Sequence, residues 1–253
     1  MVLNNFNLAG KTAIVTGCNT GLGQGMALAL AEAGADIVGV NVSDPDETKA
    51  GVEKLGRRFL DLRANLAEVG SIAGLVAQAK AFTGAVHILV NNAGIIRRED
   101  AIKFSEADWD DVMDLNLKSV FFLSQAVAKV YMAQGTGGKI INIASMLSFQ
   151  GGVRVPSYTA SKSGVMGITR LMANEWASHG INVNAIAPGY MATNNTAALR
   201  ADEQRNSAIL ERIPAGRWGR PEDLAGPVVF LASQAADYVN GYTVAVDGGW
   251  LAR

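Results

Sequence analysis

Seven short apolar runs, each separated from the next by a longer stretch, constrain this 253-residue chain more than any other feature. They fall at 12–15, 37–40, 58–62, 87–90, 139–143, 181–186 and 243–246. Runs this short that are apolar on both faces suit strands of a parallel sheet covered on both sides. The intervening stretches have helical character: 26–33 ends at Gly34, 71–82 follows the third run, and another helix starts behind the N-cap residue Ser105. About seven strand–helix alternations predict an α/β fold with a single domain over residues 1–253. The expected architecture is a doubly wound parallel sheet of the Rossmann type, with about seven strands and helices on both faces. A TIM barrel would need about eight similar units. No Pro/Gly/Ser-rich linker, repeat or low-complexity tract divides the chain.

Composition narrows the function classes. The net charge is −1, and no Lys/Arg run exceeds the pairs Arg57-Arg58 and Arg97-Arg98, which argues against nucleic acid or an anionic membrane as partner. One cysteine, Cys18, with only His87 and His179 beside it, leaves no basis for a disulfide framework or a His/Cys metal site. No metal is expected, and the cysteine usage suits the cytoplasm. The first residues carry no basic segment followed by an apolar run, so no signal peptide is expected. The absence of any run approaching ~18 apolar residues argues against a transmembrane helix.

Between the first run and the first helix lies a glycine loop, Gly17, Cys18, Asn19, Thr20, Gly21, Leu22 and Gly23. Glycines there permit a tight turn and let backbone N–H groups approach a pyrophosphate at a helix N-terminus. The spacing G-x-x-x-G-x-G is not that of a P-loop, because no Lys-Ser/Thr follows Gly23. Cofactor choice is read at the end of the second strand, where a carboxylate would accept from the adenosine ribose and repel a 2′-phosphate. Asn41 and Val42 stand there, with neither an acid nor a cation in reach. An uncompensated 2′-phosphate is unfavourable, so NAD is expected over NADP.

Tyr158 and Lys162 are four residues apart, which on a helix places them on one face a turn apart. A lysine charge beside a phenol favours the phenolate, one way to build an acid/base for neutral pH without histidine.

Together these motifs resemble the short-chain dehydrogenase/reductase family, in order and over essentially the whole chain. The loop 16–23, the segment Asn91-Asn92-Ala93-Gly94, Asn116, Ser145, the Tyr158–Lys162 pair and Pro188-Gly189 with Thr193 carry the resemblance. It implies a nicotinamide-dependent oxidoreductase with Asn116, Ser145, Tyr158 and Lys162 as catalytic residues. Tyr158 would exchange the proton with the substrate oxygen. Lys162 would lower its pKa and hold the nicotinamide ribose. Ser145 would hydrogen-bond the substrate oxygen, and Asn116 would hold a water in a proton relay. The resemblance places the cofactor on Gly17, Asn19, Thr20, Gly21, Leu22, Gly23, Asn41, Asn65, Leu66, Asn92, Ala93, Gly94, Tyr158, Lys162, Pro188, Gly189, Met191 and Thr193. It departs from the family pattern at Asn41 and Asn65, where acids are common. It also implies a homotetramer, with the helix carrying Tyr158 and the segment 242–251 supplying interfaces.

The family does not fix the substrate. Ser145, Gln150, Arg154 and Tyr158 are the expected substrate contacts. Arg154 is the first choice for a carboxylate and Arg97 the second. The polar segment from Asn194 to Arg212, with Asn194, Asn195, Arg200 and Arg205 as further contacts, reads as a lid around 190–215. Segments 17–27, 96–101, 144–152, 188–196, 212–219 and 246–253 resemble the branch of the family that interconverts keto and hydroxyl groups on deoxy sugar acids in pectin and uronate breakdown. Gluconate 5-dehydrogenation and 3-oxoacyl reduction are the alternatives within the family. An idle nucleotide-binding regulatory protein is the alternative outside enzymes.

Overall fold

The computed structural model describes residues 1–253. The first half runs β1 (Thr12–Thr16), α1 (Gly21–Glu32), β2 (Asp36–Asn41), α2 (Asp46–Lys54), β3 (Phe59–Arg63), α3 (Ile72–Thr83) and β4 (Ile88–Asn91). It continues with α4 (Glu106–Met113), α5 (Ser119–Gln134), β5 (Gly138–Ile143), α6 (Pro156–Trp176) and β6 (Ile181–Pro188). The last elements are α7 (Ala197–Ala201), α8 (Glu203–Arg212), α9 (Ala225–Ala232) and β7 (Thr243–Val246). All seven strands are parallel, in the order β3-β2-β1-β4-β5-β6-β7. This is the single doubly wound sheet expected from the alternation.

Each expected strand is present, displaced by a residue or two at its ends. Helix α1 starts five residues before the expected 26, because the loop turns into it directly at Gly21. Helix α2 has no counterpart in the sequence reading. Only Thr48 and Val52 of its nine residues are buried, so it carries almost no apolar period. Ser105 caps α4, its side chain accepting from the Asp108 N–H at 3.1 Å.

Alternation along each strand separates two cores. Ala13 and Val15 pack with Met26 and Leu30 of α1 and Val228 and Leu231 of α9. Ile14 points the other way, toward Leu75 and Val76 of α3, Leu123 and Val127 of α5 and Met172 of α6. A polar chain crosses the second core. Asn91 Nδ2 donates to Ser124 Oγ at 2.9 Å and to Asn142 Oδ1 at 2.8 Å, and Asn142 Nδ2 donates to Thr169 Oγ1 at 2.9 Å. The chain ties β4 and β5 to α5 and α6, and every member is satisfied. From β1 the chain proceeds outward to β2, whereas β4 lies on the opposite side of β1. The carboxyl ends of β1 and β4 therefore border the crevice where open α/β sheets take ligands.

At the opposite end of the sheet, His87 holds the start of β1. Its Nδ1 accepts the Thr12 N–H at 3.1 Å, and the His87 backbone N–H donates to the Thr12 carbonyl at 3.0 Å. Burial first, then the Lys11 charge, hold the imidazole below 6.5. The unfolded chain takes up this proton more readily. The stabilisation is therefore fully present above 6.5, starts to fall as pH drops below it, and is gone once the folded imidazole is protonated. His87→Ala should be less stable than the parent at about pH 7.5, with the gap narrowing toward about pH 5. Denaturation midpoints at the two pH values read the gap; an equal gap at both would disconnect His87 from the linkage.

Candidate active site

A cleft of about 1010 Å³ runs along the carboxyl ends of the strands. One end is lined by Asn41, Val42, Asn65 and Leu66, the middle by the glycine loop and Asn92, Ala93 and Gly94, and the far end by Ser145, Tyr158, Lys162 and segment 193–212.

The loop is built for close approach. Gly17 has φ +62°, a left-handed conformation that side chains resist. A Cβ on Gly23 would sit 2.1 Å from the Gly17 carbonyl and 2.5 Å from Asn92 Nδ2. Asn92 Nδ2 donates to the Thr16 and Gly17 carbonyls, both at 2.9 Å, and the Thr16 hydroxyl accepts from the Asn92 and Ala93 N–H groups at 3.0 and 2.9 Å. These bonds lock β1, β4 and the start of α1 into one rigid cradle at a helix N-terminus. Its shape and its positive dipole end fit a dinucleotide pyrophosphate.

Asn41 lines one end of the cleft, as expected, and has a second task. It is buried and braces the loop from beneath: Oδ1 accepts the Cys18 N–H at 2.8 Å, and Nδ2 donates to Asp61 at 3.4 Å. Val42, in the bend that follows β2, lines the same end of the cleft and is 77% exposed. Around it, Asn19 Nδ2 donates to Ser43 Oγ at 2.8 Å.

At the far end α6 carries both Tyr158 and Lys162. Lys162 Nζ donates to the Ile143 carbonyl at 2.6 Å and stands 5.7 Å from the centroid of the Tyr158 ring. Ser145 heads a short turn whose Ser148 hydroxyl donates to the Lys162 carbonyl at 2.6 Å, so the Ser145 loop and α6 are joined. Burial pushes the Tyr158 phenol above its ordinary value, while the Ser145 hydroxyl and the Arg98 guanidinium act the other way. Burial also pushes Lys162 down to about 8. The expected net lowering of the Tyr158 pKa is thus reversed here, because desolvation of the phenolate outweighs the Ser145 hydrogen bond and the Arg98 charge. Tyr158 lies partly exposed on the cleft wall, with its proton on at neutral pH.

Asn116 sits in a π-helical turn, Asp114–Lys118, between α4 and α5. Its amide accepts from the Ile95 N–H at 2.9 Å and donates to the Ile95 carbonyl at 2.8 Å, and Nδ2 reaches Ser161 Oγ at 3.4 Å. It lies behind the cleft wall and fixes the start of the segment after Gly94.

Most of the expected cofactor residues line the cleft, but Pro188 and Met191 do not. Pro188 is the last residue of β6, paired with Val246, and Met191 is buried beside Gly219 in a parallel bridge. Gln150 and Arg154 are on the wall. Arg97 is not: its guanidinium turns to Asp108 at 3.3 Å and Asp111 at 3.2 Å on α4. Arg154 is engaged by Asp100 at 3.0 Å and Glu99 at 3.5 Å, which weakens its case as the carboxylate ligand. Asn194, Asn195 and Arg205 line the cleft, whereas Arg200 donates to the Thr193 carbonyl at 3.1 Å outside it.

Sequence reasoning missed Arg98, Tyr190, Arg212 and Trp250, all of which line the cleft. Arg98 pairs with no carboxylate; its contact is the Asn195 carbonyl at 3.5 Å. Arg212 lies 4.0 Å over the Trp250 ring, and Tyr190 packs edge-on against Trp250 at 4.8 Å and Trp218 at 5.4 Å. The pair Arg97-Arg98 signals a cation near the site, but which of two adjacent residues turns inward is decided by the acids of α4. Trp250 reaches the cleft only through tertiary packing.

A Rossmann-type sheet with a dinucleotide cradle at its switch point and a Tyr–Lys pair beside a serine defines a nicotinamide-dependent oxidoreductase. The model of a family described as enoyl-(acyl carrier protein) reductase matches residues 17–251, and the chain belongs to this branch of the short-chain dehydrogenases/reductases. It is 73% identical over 253 residues to the 2-dehydro-3-deoxy-D-gluconate 5-dehydrogenase of Escherichia coli (strain K12), and 72% identical to that of Dickeya dadantii (strain 3937), with all of each chain covered. A crystal structure described as a 2-deoxy-D-gluconate 3-dehydrogenase from Agrobacterium tumefaciens, with bound NADP, is 60% identical, covers 99% of this chain and 100% of its own, and superposes with a TM-score of 0.93.

Proposed function

We propose that this enzyme interconverts a keto and a hydroxyl group on a deoxy sugar acid. The pair is 3-deoxy-D-glycero-2,5-hexodiulosonate and 2-dehydro-3-deoxy-D-gluconate, in pectin and uronate catabolism. The observation that carries the reading is the 73% identity, end to end, to a dehydrogenase of that name. The cleft chemistry agrees: Arg98, Arg205 and Arg212 present cations to an anionic substrate, and Gln150 and Asn194 offer amides to its hydroxyls.

In this reading the nicotinamide cofactor supplies or accepts the hydride. Tyr158, protonated at neutral pH, gives its proton to the carbonyl oxygen, or takes the hydroxyl proton in reverse. Ser145 donates a hydrogen bond to the same oxygen and stabilises its developing charge. Lys162 orients the cofactor ribose beside the phenol, and Asn116 holds the wall behind it. Segment 190–215 acts as the substrate lid. The exposed side chains Trp109, Phe122, Leu171 and Tyr242 supply apolar surface for a homotetramer, and the single buried Cys18 suits a cytoplasmic enzyme.

NADH oxidation, screened over keto-deoxy sugar acids, 5-ketogluconate and 3-oxoacyl thioesters, tests the reading. The keto-deoxy sugar acid should be turned over with the highest kcat/KM. A preference for ketogluconate or an oxoacyl thioester would reassign the substrate, and nucleotide binding without any turnover would point to an idle regulatory protein.

NAD(H) is the proposed cofactor, with NADP(H) tolerated. The adenosine end of the cleft offers no cation to a 2′-phosphate and no carboxylate to repel one. Val42→Arg should raise kcat/KM for NADPH about tenfold while leaving NADH nearly unaffected, the gain of one charge-assisted hydrogen bond. Parent kcat/KM values that favour NADPH would overturn the NAD preference.

A further inference from the structure

We propose that Arg154 is a positioning residue: a latch that joins the two loops walling the substrate end of the cleft and holds Arg98 toward Tyr158. The proposal rests on this cleft being the substrate site.

Arg154 is the one non-glycine residue of the chain with a positive φ, +62°. A side chain in that conformation is strained and persists only where its surroundings hold it. Three contacts do so, and all go to one short segment. Arg154 Nε meets Asp100 Oδ1 at 3.0 Å, its terminal nitrogen meets Glu99 Oε1 at 3.5 Å, and its carbonyl accepts the Glu99 N–H at 3.1 Å. The segment 95–100 is thus pinned at both ends, by Asn116 on Ile95 and by Arg154 on Glu99 and Asp100. Arg98 lies between the two pins, on the cleft wall, and touches the Asn195 carbonyl of the lid at 3.5 Å. The charges fit the arrangement. Glu99 and Asp100 occupy the Arg154 guanidinium, while Arg98 is left without a carboxylate and its charge acts on the Tyr158 phenol.

The test uses Arg154→Ala, Asp100→Ala and the double variant of the full-length protein. Each single substitution should raise KM for the keto-deoxy sugar acid about fivefold, the size that exposed ion pairs carry, with kcat within about twofold and KM for NADH unmoved. The double variant should be no worse than either single one, because both remove the same latch. Hydrogen exchange at the Glu99 amide and across 149–154 should quicken in all three. Arg154→Gly relaxes the backbone but lacks the latch, so it should match Arg154→Ala in KM.

Three results would overturn the latch: a raised KM in Arg154→Ala with an unchanged or lowered KM in Asp100→Ala, which makes Arg154 a direct substrate ligand; recovery of the parental KM by Arg154→Gly; or unchanged exchange at Glu99. The exchange measurement needs no substrate. It decides the latch even if the parent turns over no keto-deoxy sugar acid, a failure that would fall on the proposed function instead.

Discussion

Tyr158→Phe should cut turnover about a thousandfold, the scale of positioned acid–base catalysis, while the circular dichroism spectrum and the affinity for NADH stay close to those of the parent. The substitution removes only the phenolic oxygen. The ring that lies 5.7 Å from Lys162 Nζ remains, as does the hydrogen bond from Lys162 to the Ile143 carbonyl. Burial keeps the Tyr158 proton on at neutral pH, so the carbonyl-reduction direction has its donor ready. Alcohol oxidation needs that proton removed first and should quicken as pH rises. The variant should lose both reactions and the pH dependence together. Activity within about tenfold of the parent would move the proton to another group, of which Ser145 is the nearest candidate.

Gly23→Ala is the second large effect. The added Cβ would meet the Gly17 carbonyl at 2.1 Å and Asn92 Nδ2 at 2.5 Å, and neither can yield without breaking the cradle. Cofactor affinity should fall about a hundredfold, matching the roughly 3 kcal/mol that overpacking can cost, as read by titration of NADH fluorescence. Gly74→Ala, in the first turn of α3, is the control: nothing lies within 4 Å of its added methyl, and the helix should gain about 0.5 kcal/mol. The same chemical change thus has opposite signs at two glycines. If Gly23→Ala bound NADH like the parent, the cradle would not be the pyrophosphate site.

Much of this was legible in the sequence. The strands were visible because each is buried on both faces, which leaves short continuous apolar runs at 12–15, 37–40 and 181–186. The glycine loop and the Tyr158–Lys162 pair were visible because their function fixes residue type and spacing locally. What the sequence hid depends on direction. Asn41 ends β2 as expected, yet its amide turns inward to Cys18, and the exposed Val42 shares the proposed adenosine end of the cleft. Arg97 and Arg98 are chemically alike, and only Asp108 and Asp111 on α4 decide which one leaves the cleft. Arg154 looked available until Glu99 and Asp100, more than fifty residues away in the chain, closed on it. The Tyr158 electrostatics reversed for a similar reason: spacing shows Lys162 nearby, but the burial that raises the phenol, and the Arg98 charge that opposes it, come from the assembled structure.

The aromatic group at the root of α8 has an optical consequence. Two of the four tryptophans, Trp218 and Trp250, flank Tyr190, and the Arg212 guanidinium rests on the Trp250 indole at 4.0 Å. Indole emission is sensitive to a cation at that range, and it overlaps the absorption band of reduced nicotinamide. A swing of α8 would therefore change both quenching and energy transfer without any added dye. Stopped-flow emission from the unlabelled protein would time the proposed lid motion separately from the redox step.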